Sequence, residues 1–489
     1  MNASPMSTIA VIGAGPAGLR AAEVLVAQGK SVALIDEAEF AGGQIYRQPP
    51  TALARPATLL YGAQADRAQD IHALGRDLAG KLDYRRATSV WHAQPGRLEL
   101  LHAGKVASLD YARIVLATGA TDRAMPFAGW TLPGVFTLGG AQVALKYQGC
   151  VVGKRVLFTG SGPLLYLVAY QYAKAGAKVV AVHDSATFAA QARHAPGMLA
   201  LPRMLARGLY YVAWLRAHGI PVRYGMTPRR AVGDARVQGL ISVGFDGRER
   251  EDACDAVATG FGLRSENQIA DLLGCDFVFD PVNSSWNPAK DAAGRSSVAE
   301  VYLAGDGSGI GGADQAELEG ERAAWALLED AGRVVPARRI GALDASLARS
   351  RRFRKAIDQA FALPALKRFD LSDEVLLCRC EAIRVGEVRQ AVRDAGITEL
   401  NRLKALTRVG MGRCQGRMCS PGAACVLAEA AGMPLGQVGR IRAQPPIKPV
   451  PLAACAEDMV HVPTHDQASM APIPTGPGRH LTNTVGGQS

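Results

Sequence analysis

The sequence predicts an α/β fold: two parallel-sheet nucleotide-binding units, the second inserted in the first, and a small helical module at the C-terminal end. Three observations carry this. A strand, glycine turn, helix and strand at 8–35 is repeated at 155–182, and each such unit implies a parallel sheet. A later strand, 301–307, ends on Gly-Asp and offers a return to the first sheet. Four of the nine cysteines fall in two close pairs after residue 375. The first two make both units Rossmann-like; the third sets the last segment apart.

The first unit opens with an apolar strand at 8–12, a glycine turn, an apolar-periodic helix at 16–28 and a second strand at 31–35. Gly13-Ala14-Gly15-Pro16-Ala17-Gly18 matches G-x-G-x-x-G between strand and helix. The first glycine makes the tight turn, the second lets backbone approach a pyrophosphate, and the third lets helix and strand pack closely. The helix N-terminus then offers N–H groups and a positive dipole end to phosphate. Asp36 ends the second strand, placed to accept a hydrogen bond from a ribose hydroxyl. Gly43-Gln44, the strand end Thr118-Gly119 and Gly305-Asp306 complete the candidate site. For Asp306 the alternative is a helix N-cap ahead of the helix at 314–330.

The second unit is less regular. Gly160, Gly162 and Pro163 begin a second fingerprint, but Leu165 stands where the third glycine belongs and should push the helix off the strand. By the spacing of the first unit, the acid position falls on His183, with Asp184 expected on the other face. NAD(P)H, another nucleotide or a vestigial site all remain open. No cysteine precedes Cys150 and none lies within four residues of it, which disfavours the redox-active pair of a disulfide reductase.

Cys378-Arg379-Cys380 and Cys414-Gln415-Gly416-Arg417-Met418-Cys419 supply four thiolates with no histidine between them, a set that suits [2Fe–2S] or zinc. Cys-x-Cys is tight for structural zinc, which favours the cluster. Arg379, Arg413 and Arg417 would offset its negative charge, and nearby glycines leave N–H groups free for the sulfurs. Two short helices are expected in 383–405, with Gly396 as a C-cap between them.

With these residues in view, the chain resembles known families. The glycine, Gly43-Gln44, Thr118-Gly119 and Gly305-Asp306 motifs resemble the pyridine-nucleotide-dependent oxidoreductases with two dinucleotide domains. That likeness implies FAD in the first unit, with Asp306 at its ribityl chain or pyrophosphate. The cysteine module resembles the bacterioferritin-associated-ferredoxin-like [2Fe–2S] domain, although its second pair is Cys-x4-Cys rather than Cys-x-x-Cys. Thr407–Gly416 is similar to the form fused to flavoprotein dehydrogenases. Together with Gly42–Arg47 and Pro126–Val135, the chain over about 8–435 resembles the A (α) subunits of heteromeric amino-acid dehydrogenases of the opine oxidase, hydroxyproline dehydrogenase and hydrogen cyanide synthase type. The resemblance implies a partner flavoprotein (β-type) subunit that oxidises the C–N bond of a small amino or imino acid. It also admits a small ferredoxin-like subunit, and gives this chain the role of electron relay. The rival is a self-sufficient NAD(P)H-dependent reductase feeding the [2Fe–2S] centre. No general base stands out: His92, His102, His183 and His194 are scattered and the catalytic base is unassigned, while Tyr46 and Arg47 are candidates to line the flavin.

The expected divisions are 1–125 with 250–335 for the FAD-binding domain, 126–249 for the second unit, 336–372 for a helical connector, 373–436 for the cysteine module and 437–489 for a disordered tail. The connector lies in a run, 333–369, that holds ten Arg or Lys against two Asp, and an acidic partner is one reading of it. The net charge of +11 is otherwise dispersed, without the aromatic-rich basic platform of a nucleic-acid binder. Neither a signal peptide nor an apolar run long enough to span a bilayer is recognised. The expected location is cytoplasmic, with membrane association through partners left open.

Overall fold

A computed structural model describes residues 7–456, with side chains through Ala454. The first sheet is five-stranded and wholly parallel, ordered Val301–Leu303, Arg113–Leu116, Ile9–Ile12, Val32–Ile35, Asp83–Arg85. Strands Ile9–Ile12 and Val32–Ile35 are four-residue apolar runs buried on both faces, as a sheet covered on both sides requires. An antiparallel sheet of Thr88–Gln94, Arg97–His102 and Lys105–Asp110 is inserted before Arg113. Helix Pro16–Ala27 packs closely on helix Ala313–Asp330. At their crossing a Cβ on Gly320 would lie 2.0 Å from the Ala17 carbonyl oxygen, so only glycine admits this approach.

The second sheet is also parallel, ordered Val222–Tyr224, Lys178–Asp184, Arg155–Ser161, Ala256–Phe261, Val135–Thr137. The chain leaves the first unit along Ala120–Asp122 and returns along Leu263–Ser265, and these two strands pair antiparallel. Strands Glu249–Ala253 and Ala256–Phe261 therefore belong to the second unit, and the boundary expected at 249/250 falls near residue 262. The pattern of 256–262 echoes 114–119, and a short buried apolar strand fits either sheet. Register decides: Val156–Ser161 pairs residue by residue with Ala256–Phe261.

The connector forms helix Ala337–Ala360, burying Leu343, Leu347, Phe353 and Ile357 and packing on helices Phe188–Met198 and Ala313–Asp330. The cysteine module holds helices Val385–Ala395, Leu400–Thr407 and Ser420–Ala431, and Gly396 caps the first in the left-handed conformation. Its core is continuous with that of the second unit: Val388, Leu403 and Leu427 share a cluster with Phe127, Trp130 and Phe261.

The tail expectation is corrected over its described part. Val438 and Ile447 are fully buried, and Arg440 forms a two-pronged ion pair with Asp271 of the first unit, 2.7 Å at each contact. Proline-rich composition marks an extended segment here, but one anchored by side chains. Residues 457–489 lie outside the described residues.

Candidate functional site

The first glycine turn gathers the sequence-predicted residues at the C-terminal edge of the first sheet. Gly13 has φ +105°, and a Cβ on Gly18 would lie 1.7 Å from the Gly13 carbonyl oxygen, so both glycines are sterically required. Gly15 precedes Pro16, the first helical residue, and no side chain caps that helix, leaving its first N–H groups available to an anion. Gly43 lies against Gly15, and the Gly42 N–H donates to the Ala14 carbonyl at 2.9 Å. Gly305 abuts Ala17, and Gly307 abuts Thr118 beside Gly119. These are the close approaches that a backbone-lined pyrophosphate cradle requires.

The two acids are partly buried and hold backbone. Asp36 accepts from Ala14 N–H at 2.5 Å and Ala38 N–H at 2.7 Å, tying the glycine turn to the second strand. Asp306 accepts from Gly311 and Gly312 N–H at 2.8 and 2.9 Å, both on Oδ1. Burial pushes both carboxyls above the usual carboxylate range, against these N–H bonds. Asp306 thus braces the loop before helix Ala313–Asp330 without capping it.

Tyr46 does not line the site: it is fully buried, with its ring edge-on to Tyr61. Arg47 Nη2 donates to Gln44 Oε1 at 2.9 Å and so orients that side chain. Lys146, which sequence reasoning missed, reaches from the second unit to the Ile45 carbonyl at 2.9 Å. Burial draws its ammonium pKa down to about 8.

At the second turn the structure corrects the acid position. Strand Lys178–Asp184 carries a one-residue register shift against Arg155–Ser161, after which Gly160 faces Asp184. Asp184, rather than His183, is therefore the counterpart of Asp36, and both accept from the N–H two residues on, Ala38 and Ala186. His183 turns inward, with Nδ1 3.0 Å from Ser242 Oγ and Nε2 3.3 Å from Asp252. Sequence spacing missed the bulge because an extra valine in a valine-rich strand gives no signal.

The carboxylate of Asp184 is engaged within the protein, accepting from the Tyr166 hydroxyl and from Gln191 Nε2. The chain after the connector helix also crosses this edge. Ser161 Oγ donates to the Phe361 carbonyl at 3.2 Å, and the Phe361 ring lies edge-on to Tyr166. Arg368 continues the crossing, donating to the Gly225 carbonyl at 2.8 Å. Gly160, Gly162 and Pro163 make the turn at the helix start as expected, but beneath a strap of this chain's own residues.

The four cysteines form two close pairs. Cys378 contacts Cys419, and Cys380 contacts Cys414, with the pairs near enough to interact electrostatically. Among the described residues no three candidate ligands converge as one metal ion requires. Zinc at about 2.3 Å from each sulfur would hold all four roughly 3.8 Å apart. Two pairs set side by side instead fit ligation to two irons. The Cys419 contact and N–H groups of Gly410, Glu381 and Cys380 pull the Cys378 thiol down, and the same contact pushes Cys419 up, so without a metal the pair shares a proton between its sulfurs.

The cysteine loop rests on the chain that returns to the first unit. Arg417 binds both oxygens of Glu266 at 2.7 and 2.9 Å, so its charge is neutralised by a carboxylate. The carbonyl of that same Glu266 accepts from the Thr118 hydroxyl, and its N–H donates to the Gly119 carbonyl at 2.9 Å. The partly buried Arg264 reaches Ser420 Oγ at 2.6 Å, and Gln268 Nε2 reaches the Gln415 carbonyl at 2.9 Å. Arg264, Glu266 and Gln268 are not legible as site residues in the sequence: their partners lie about 150 positions away, and no motif marks them.

A paired-dinucleotide fold with a four-cysteine module docked against its first nucleotide turn defines a two-centre flavoprotein oxidoreductase. Residues 7–320 match the pyridine nucleotide-disulphide oxidoreductase family, and 376–429 match the BFD-like [2Fe-2S] binding domain. The chain is 35% identical to the A subunit of opine oxidase from Rhizobium meliloti, covering 91% of this chain and 98% of that protein. It is 33% identical to the HcnB subunit of hydrogen cyanide synthase from Pseudomonas aeruginosa, covering 93% and 98%. The L-proline dehydrogenase from P. horikoshii matches with a TM-score of 0.66 at 23% identity, over 92% of this chain and 80% of that one, which establishes the shared fold. The chain belongs to the pyridine nucleotide-disulphide oxidoreductase family and, within it, to the relatives of HcnB and of the opine oxidase A subunit. It is an oxidoreductase subunit with FAD and [2Fe–2S] as cofactors. No helix among the described residues is long and apolar enough to cross a membrane.

Proposed function

We propose that this chain is the electron-relay subunit of a heteromeric dehydrogenase that oxidises a small amino or imino acid, of the opine or hydroxyproline type, at its C–N bond. A separate flavoprotein subunit performs the oxidation, and a small ferredoxin-like subunit is a candidate third member. The observation that carries the reading is the Thr118–Glu266–Arg417 connection, which joins the Thr118-Gly119 strand end of the first nucleotide site to the cysteine loop. The names of the relatives, each one component of an oxidase or synthase, supply the class of complex. In this reading Gly13, Gly15, Pro16, Ala17 and Gly18 cradle the FAD pyrophosphate, with Asp36, Gly43, Gln44, Thr118, Gly119, Gly305 and Asp306 around it. Cys378, Cys380, Cys414 and Cys419 hold the cluster. FAD supplies hydride acceptance and one-electron release; the protein supplies placement and electrostatics. A cytoplasmic location accords with eight cysteines that form no disulfide among the described residues.

The rival, a self-sufficient NAD(P)H-dependent reductase, gains Asp184 as a correctly placed acid. Against it stand the Tyr166 hydroxyl on that acid and the Phe361 strap over the turn. Purification at native expression, with iron, flavin and copurifying chains determined together, tests the proposal. A second flavoprotein in fixed ratio, with little activity from this chain alone, is the expected outcome. Rapid bleaching of the 450 nm flavin band by NADH alone would install the rival instead.

A further inference from the structure

The two cysteine pairs differ sharply in exposure. Cys378 and Cys419 are 1% and 2% exposed, whereas Cys380 is open to solvent and Cys414 partly so. A cluster held by these pairs therefore has an inner and an outer edge. On the inner side, Cys419 is followed by Ser420, which Arg264 binds beside Glu266 and the first nucleotide turn. On the outer side, Cys380 is preceded by Arg379 and Cys414 by Arg413, both exposed.

Neither arginine has a carboxylate partner among the described residues. The Arg379 guanidinium lies over the Trp130 ring, 5.2 Å from its centre, which holds the head group at this edge without pairing it to a carboxylate. Glu381, which follows Cys380, is paired with Arg408 at 2.8 Å. The opposite is true inside, where Glu266 neutralises Arg417. Unpaired positive charge is thus concentrated where a redox partner would come closest to an iron.

We propose that the Cys380–Cys414 edge, rimmed by Arg379 and Arg413, is the docking face for an acidic one-electron carrier protein. This rests on the two-centre reading above. With a [2Fe–2S] cluster held by the four cysteines, each transfer would pass one electron and no proton across this edge, oxidising the reduced cluster by one electron and reducing the carrier by one. Two transfers would discharge the two electrons that one substrate oxidation in the partner subunit delivers to this chain. Complementary charge raises the encounter rate, and salt removes the advantage.

The test uses the anaerobically reduced full chain and two forms of one acceptor, basic cytochrome c and the same cytochrome made acidic by succinylating its lysines. Stopped-flow rates are measured at low and high salt. The native chain should reduce the acidic form faster, with a rate that falls as salt rises. In Arg379→Glu/Arg413→Glu the ratio of acidic-form to basic-form rate should fall at least tenfold at low salt. Arg413→Glu alone, which leaves the Trp130 contact intact, should shift the ratio the same way by less. An unchanged ratio overturns the proposal, including the case where both rates move together with the cluster's midpoint potential: the arginines then tune the cluster and select no partner. Absence of the reduced-cluster EPR signal from the native chain would instead sink the two-centre reading itself.

Discussion

Arg417 grips Glu266 with two hydrogen bonds, 2.7 and 2.9 Å, across 151 residues of chain, and both side chains are about 85% buried. Burial favours the neutral acid, but Arg417 outweighs it and holds the Glu266 carboxyl below the ordinary 4.5. The stabilisation is therefore present above pH 4.5 and is lost as pH falls through the lower folded value. Glu266→Ala would strand Arg417 beside a second cation, Arg264. Breaking a buried pair by removing one partner costs about 3–5 kcal/mol. A fall in melting temperature of several degrees is expected, together with slower reoxidation of FAD by the cluster in single turnover. If the melting temperature is unchanged, the contact does not hold the module in place.

The cysteine pairs predict separable cofactors. Cys414→Ser should abolish the low-temperature EPR signal of the reduced protein while flavin content stays near normal, because none of the first nucleotide turn's contacts involves Cys414 directly. Loss of flavin together with iron would mean that the module and the first unit do not fold independently, as the bridge through Glu266 also allows. Iron chelation of the native chain should reproduce the variant's spectrum.

The burial of Asp184 predicts a pH dependence. Burial pushes this carboxyl up to about 7, against the Tyr166, Ala186 and Gln191 hydrogen bonds. Between the ordinary value of 3.8 and about 7, the folded state holds a proton that the unfolded state has released, so stability falls as pH rises through that window and levels off above it. Asp184→Asn removes the titration and should flatten the melting profile between about pH 4 and 7, by of order a few kcal/mol at its upper end. Parallel melting profiles for the two proteins would show that Asp184 is ionised throughout.

Both glycine turns, their flanking strands and the four cysteines are legible in the sequence because each depends on local residue order: a turn needs its glycines within a few positions, and a ligand pair needs its thiols close along the chain. What is not legible depends on partners far away in sequence. Strand Ala256–Phe261 carries an apolar pattern that either sheet would accept, and only its register with Val156–Ser161 assigns it. Asp184 is misplaced by spacing alone because of a single inserted residue, since one extra residue in a strand reverses which side chains face inward. Neighbours in sequence put Tyr46 at the flavin, yet its ring turns toward Tyr61 and the core.

The segment after the module lacks apolar periodicity and so reads as disordered, and there too single contacts override composition. Asp271 takes two hydrogen bonds from Arg440 and a third from the Ala443 N–H, while Arg440 lies 3.6 Å above the centre of the Phe277 ring. Arg440 and Arg442 hold the Asp271 carboxyl below 3.8 despite its burial, so the contact strengthens the fold above that pH and fails in acid. Truncation after Gly439 would remove this clasp, uncover Ile447's site and leave a buried carboxylate unpaired. About 3–5 kcal/mol of destabilisation is expected from the lost partner alone. Asp271→Asn, which keeps the shape and loses the charge, should cost less. Equal melting temperatures for the truncated and full chains would show that the clasp contributes nothing to stability, and protease resistance at the Gly439–Arg440 bond in the full chain provides an independent check.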